Sequence, residues 1–109
     1  MDANRKPLQD FEIIAIFSKL RPFFIRKEGK CMTTTIEFDI PTKKQHPTEK
    51  PIELYKFLIE RYSKEGDTIL DPTFGSGNSG LAARDLKRKY IGIEKNKEFF
   101  DKFQKKITT

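Results

Sequence analysis

The apolar positions follow two rhythms. Residues 11 to 18, Phe-Glu-Ile-Ile-Ala-Ile-Phe-Ser, form a short run rich in β-branched and aromatic side chains. It is short for a helix and predicts a mostly buried strand. Thr33 to Asp39 predicts a second, more exposed strand, and Pro41 to Pro47 a loop. From Pro51 onward the period becomes helical. Ile52, Tyr55, Leu58, Ile59 and Tyr62 share one face, Pro51 suits a first turn, and Gly66 is a stop. A strand is expected at Thr68 to Asp71. A helix follows from about Asn78 or Ser79 to Lys87, with Leu81, Ala82 and Leu86 inward. Tyr90 to Glu94 reads as a further strand, and Asn96 can cap a last helix whose face carries Phe99, Phe100, Phe103 and Ile107. The second half is thus α-β-α-β-α. Its strand-helix-strand core implies a parallel βαβ unit with a right-handed crossover.

Length and composition narrow the class. The 109 residues have room for one small domain with a modest core. Charged residues make up 35% of the chain, but the 12% aromatic content and the periodic apolar stretches argue against global disorder. The net charge of +6 suits a polyanionic partner such as nucleic acid. Cys31 is alone, so no internal disulfide can form, which fits a reducing cytoplasm. No run approaches membrane-spanning length, so no membrane partner is expected.

The chemistry concentrates in Leu-Asp-Pro-Thr-Phe-Gly-Ser-Gly-Asn-Ser-Gly, residues 70 to 80. Gly75, Gly77 and Gly80 have the spacing of a dinucleotide fingerprint at the carboxyl end of a strand, where βαβ units bind ligands. The helix that follows offers N–H groups and partial positive charge. Glu94, closing the next strand, stands near the roughly 20-residue separation at which a carboxylate meets a ribose diol. A phosphate-binding loop is excluded, because Leu81 and Ala82 stand where Lys and Ser or Thr are required. Asp71 would repel a pyrophosphate, yet would suit a ligand bearing an amino group, such as the methionine part of S-adenosylmethionine. A structural turn is the remaining alternative.

Three motifs together resemble a known family. His-Pro-Thr-Glu-Lys-Pro (46 to 51), Ile-Leu-Asp-Pro-Thr-Phe-Gly-Ser-Gly-Asn-Ser-Gly-Leu-Ala-Ala (69 to 83) and Tyr-Ile-Gly-Ile-Glu (90 to 94) resemble the DNA amino-methyltransferases that make N6-methyladenine or N4-methylcytosine. The order matches the circularly ordered subgroup, in which the cofactor-binding half follows the catalytic half. The resemblance is close over 46 to 107 and looser over 11 to 19. It implies a partial Rossmann-like α/β methyltransferase fold, three-layered α-β-α, with three or four strands present. Residues 1 to 45 would be a strand plus basic loop left from a recognition region, and 46 to 109 the cofactor-binding unit.

Carried over by position, the resemblance implies that His46, Thr48, Lys50 and Pro51 lie beside the methionine carboxylate, with Lys50 its counter-charge. Asp71, Phe74, Gly75, Ser76, Gly77 and Asn78 would form the S-adenosylmethionine loop, and Glu94 the ribose ligand. Thr73 departs from the family's usual aromatic, and Asn78 stands where threonine is common. The family's transfer chemistry uses an Asp/Asn/Ser-Pro-Pro-aromatic tetrapeptide that holds the flipped base. No such tetrapeptide occurs in residues 1 to 109, so no catalytic residue is assigned. The expected activity is therefore that of a cofactor-binding part, inactive alone. It would need a second chain carrying the tetrapeptide, or would self-associate; the alternative is a non-catalytic cofactor- or nucleic-acid-binding module.

The other features have plain readings. One histidine and one cysteine make no zinc site. The phenylalanine stripe at 99, 100 and 103 is explained by core packing. The basic stretch, with Lys19, Arg21, Arg26, Lys27 and Lys30, is either a solvated loop or an arm that contacts DNA phosphates.

Overall fold

The computed structural model describes residues 12–19, 36–37 and 49–108. Within them the chain runs α1 (Ile52–Tyr62), β1 (Thr68–Asp71), α2 (Asn78–Asp85), β2 (Lys89–Gly92) and α3 (Lys97–Ile107). The two strands pair in parallel, with Ile69 opposite Tyr90 and Asp71 opposite Gly92. The connection through α2 makes the expected βαβ unit, and the whole is a partial Rossmann-like α/β fold.

Each element begins and ends for a local reason. Pro51, extended at φ −63° and ψ 141°, is the N-cap of α1, one position before the first helical residue. It removes an N–H that would have no helical partner. Asn96 caps α3 by accepting from the N–H groups of Glu98 and Phe99 at 3.0 and 3.3 Å. α2 stops at Asp85, two residues before the expected Lys87. There the Arg88 N–H reaches the Ala83 carbonyl and the Lys87 N–H the Arg84 carbonyl, which together close a Schellman turn. Lys87 takes the left-handed position, φ 63°, that glycine usually fills. The turn is anchored by Arg88, whose guanidinium donates to Ser63 Oγ at 3.0 Å, the Ser63 carbonyl at 2.8 Å and the Leu86 carbonyl at 2.8 Å. β2 ends at Gly92 because β1 ends at Asp71. One further bond, from the Ile93 N–H to the Asp71 carbonyl, carries the chain on toward the glycine turn.

The core lies between α1, α2 and the sheet. Ile59, Ala82 and Ala83 form its centre, with Ile52, Tyr55, Ile69, Leu86 and Tyr90 packed around them. Ile69 and Tyr90 are strand neighbours facing the helices, and α3 adds Phe103 against Tyr90 at 6.0 Å between ring centres. The other sheet face carries Leu70, Ile91 and Ile93, all more than half exposed. Among the described residues the fold therefore supplies the sheet and one helical layer.

Four expectations are corrected or left aside. The strand at 11 to 18 does not form over 12–18: β1 has β2 as its described partner, and without a ladder the run stays unpaired and exposed, Phe17 at 90%. An apolar β-branched run reports a preference for a sheet, but pairing requires an adjacent edge. The described residues hold two strands, not three or four. The strand at 33 to 39 and the loop at 41 to 47 fall outside the described residues, save 36–37, which form no strand. No described helix is long and apolar enough to cross a membrane.

Candidate functional site

The turn from Asp71 to Gly77 sits where β1 hands over to α2, and it is held from three directions. From the residue just past β2, the Ile93 carbonyl accepts the Phe74 N–H at 3.1 Å. From the end of that strand, Glu94 Oε1 accepts the Gly75 N–H at 2.9 Å while Oε2 accepts the Asn96 N–H at 2.8 Å. From the segment leading into α1, the Lys50 carbonyl accepts Asn78 Nδ2 at 2.9 Å. Lys50, Asp71, Gly75, Asn78 and Glu94, three motifs apart in sequence, thus converge on one turn. Gly75 and Gly77 both have positive φ, 58° and 89°, and Gly77 is the N-cap of α2 with no side chain to offer the helix end.

The remaining expected residues divide. Phe74 is buried, and its ring joins Phe103 at 4.7 Å and Phe100 at 6.1 Å. It packs beneath α3 because an exposed aromatic gains more by closing the gap left by the glycines. Ser76 is buried too, and its carbonyl accepts Lys106 Nζ at 3.4 Å. Burial holds the Lys106 ammonium below its usual pKa, Glu49 opposing and Lys102 adding to that shift. The Lys50 ammonium pairs with the Glu12 carboxylate at 2.6 Å. Lys19 is exposed. His46, Thr48, Arg21, Arg26, Lys27 and Lys30 lie outside the described residues.

Two participants were not foreseen. Asp71 Oδ1 accepts the Thr73 N–H at 3.0 Å, and Oδ2 accepts Ser79 Oγ at 2.6 Å. Ser79 Oγ in turn meets the Tyr90 hydroxyl at 2.7 Å. Burial, with the Asp71 charge adding, pushes the Tyr90 phenol up to about 12 despite its hydrogen bond to Ser79. Tyr55 is raised by burial and by Asp71 and Glu49. The signal for Tyr90 was register: it lies opposite Ile69, on the same sheet face as Asp71. The glycines also do more than turn the chain. A Cβ on Gly77 would overlap the Phe103 ring, and one on Gly80 would lie 2.5 Å from Phe103 Cζ and 2.9 Å from Tyr90 Cε2.

Two hollows lie away from this turn. One of about 390 Å³ is lined by charged residues at the other end of the sheet, including Glu60, Asp85 and Arg88. The second, about 440 Å³, separates Ala15–Ser18 from α1 and Ile69. Neither gathers groups suited to chemistry. Among the described residues no cluster of His, Cys, Asp and Glu could hold a metal.

A family model described as DNA methylase, covering N6 and N4 enzymes, matches residues 17–105. The chain belongs to this DNA methylase family. It is 44% identical over 63 residues to the type II methyltransferase M2.DpnII of Streptococcus pneumoniae, covering 58% of this chain and 24% of that protein. It is 43% identical over 65 residues to M.HinfI of Haemophilus influenzae, covering 60% of this chain and 18% of that protein. Its fold is similar to the crystal structure of an M1.HpyAVI–SAM complex, with TM-score 0.71 and 34% identity over 79% of this chain and 43% of that one. The cytosine-N4-specific PvuII DNA methyltransferase gives TM-score 0.54 and 31% identity over 56% of this chain and 22% of that one. The chain therefore spans about a quarter or less of the curated relatives it matches.

Proposed function

We propose that this chain is the S-adenosylmethionine-binding part of a site-specific DNA N-methyltransferase acting on adenine N6 or cytosine N4. The observation that carries the reading is the convergence of Lys50, Asp71, Asn78 and Glu94 on the glycine turn. The donor set fits the cofactor. Each carboxylate offers roughly four lone-pair sites. Asp71 and Glu94 are the acceptors that this reading assigns to an ammonium and a ribose diol respectively. Lys50 supplies positive charge for the methionine carboxylate once it leaves Glu12. Bound there, the cofactor supplies an electrophilic methyl group; the residues of this chain bind and orient it. The Asp/Asn/Ser-Pro-Pro-aromatic tetrapeptide is absent from residues 1 to 109, so this reading gives these residues cofactor binding and no catalytic group of their own. The exposed Leu70, Ile91 and Ile93 face suits contact with a second chain or self-association.

Calorimetry with S-adenosylmethionine tests the site. Glu94→Ala removes a charged acceptor worth about 1.5–3 kcal/mol, so binding should weaken roughly tenfold or more. Glu94→Gln, which keeps one carbonyl oxygen for the Gly75 N–H, separates loss of the ribose contact from loss of the turn. Equal binding by all three proteins removes the assignment of Glu94. Radiolabelled methyl transfer to DNA should be silent with the pure chain and appear when a tetrapeptide-bearing chain is added. Transfer by the pure chain would show that catalytic residues lie within it, and silence with the partner would leave a binding module.

A further inference from the structure

The contacts of Asp71 fix the direction of a short hydrogen-bond chain. A carboxylate only accepts, so the single hydroxyl proton of Ser79, 2.6 Å from Oδ2, points to Asp71. With that proton committed, the 2.7 Å contact between Ser79 Oγ and the Tyr90 hydroxyl has one donor left, which is Tyr90. The order is Tyr90 to Ser79 to Asp71. Each member is held by packing. Ser79 is buried in the first turn of α2. The Tyr90 ring is set edge-on against Phe103 and lies over Gly80 and Gly92, where a Cβ would displace it. The Thr73 N–H fixes the other carboxylate oxygen at 3.0 Å. The Asp71 carboxylate is therefore set in one rotamer, and its remaining lone pairs face a defined direction.

We propose that Ser79 and Tyr90 are positioning residues that aim the Asp71 carboxylate at the amino group of the ligand's methionine part. This rests on the reading that the glycine turn holds S-adenosylmethionine. A phenol is protonated throughout the neutral range, so Tyr90 has the proton that this donation needs. Removing either hydroxyl loosens Asp71 without touching the adenosine contacts.

The test compares two probes that share adenosine and sulfur. S-adenosylhomocysteine carries the amino acid part, and 5′-methylthioadenosine lacks it. Titration of the full chain should show Ser79→Ala weakening S-adenosylhomocysteine binding about tenfold and leaving 5′-methylthioadenosine within about twofold. Tyr90→Phe keeps the ring and the Ser79–Asp71 bond, so it should fold as wild type and weaken S-adenosylhomocysteine about threefold. Circular dichroism checks that both variants are folded. Equal weakening of both probes would mean a merely structural role, and no change in either would mean no role; both overturn the proposal. Wild type that binds neither probe strikes the cofactor reading itself. Wild type that binds both, with an unchanged ratio in the two variants, strikes this inference alone.

Discussion

Gly77→Ala separates the two tasks that the glycine turn performs. Gly77 sits at φ 89°, and a Cβ there would overlap the Phe103 ring. The left-handed conformation alone costs an alanine about 1–2 kcal/mol. Moving the buried Phe103 ring, which also touches Phe74 and Tyr90, adds about 1–3 kcal/mol of overpacking. The sum, about 2–5 kcal/mol, is a large share of the roughly 5–15 kcal/mol that stabilises a typical domain. Gly66 supplies the control, with the same φ of 89° and nothing within 4 Å of its Cβ position. Gly66→Ala should therefore cost only the conformational part. Urea denaturation followed by circular dichroism measures both. Phe103→Leu in the Gly77→Ala background should recover the packing part, giving a coupling of about 1–3 kcal/mol. If Gly66→Ala and Gly77→Ala cost the same, or the Gly77–Phe103 cycle is additive, Phe103 gives way freely and the packing role of Gly77 is refuted.

Other changes probe other parts of the molecule. Lys87→Gly relieves a left-handed residue at φ 63° and should raise stability by about 0.5–1 kcal/mol in the same denaturation assay; a loss would mean that the lysine side chain contributes to the turn. Tyr90 is raised from 10.0 to about 12, so its contribution is complete below pH 10 and is lost as pH rises through 12. Partial exposure to solvent reduces to about 1 kcal/mol the roughly 2.7 kcal/mol implied by a shift from 10.0 to about 12. Stability of wild type relative to Tyr90→Phe should fall by that amount over this window, and a flat difference would contradict it. Binding to DNA should weaken as salt rises, with a slope of about −0.9 in log K against log salt for each phosphate neutralised. A salt-insensitive affinity would return the basic residues from Lys19 to Lys30 to the status of a solvated loop.

How far the sequence could be read depended on whether the deciding partner was local. β1 was placed at its full extent, and the starts of α2 and α3 fell at Asn78 and after Asn96, because caps and glycines act within a few residues. The end of α2 was missed because a lysine fills the left-handed position, held by an arginine whose partner Ser63 is 25 residues away. The apolar run at 11 to 18 promised a strand, but a strand is a property of two segments, and 12–18 have no ladder beside them. Lys50, Asp71, Asn78 and Glu94 lie in the three motifs that the resemblance picked out, and the structure joins those motifs by hydrogen bonds at the glycine turn. The packing of the Phe74 ring was not readable, since it depends on Phe100 and Phe103, which α3 brings from outside the motif. Ser79 and Tyr90 were hidden for the same reason: their link is visible only when β2 is set in register with β1.

The bonds that shape the glycine turn have a consequence for gene rearrangement. Lys50 to Asn78, Asp71 to Ser79, Gly75 to Glu94 and Ser76 to Lys106 all fall inside one uninterrupted stretch. The Lys50–Glu12 ion pair reaches outside it and closes nothing within the turn. A cut-and-rejoin event whose breakpoints fall before residue 49 or after 108 would move the turn with all these partners aboard. Shuffling the order of coding segments can therefore relocate such a unit without requiring its contacts to evolve again.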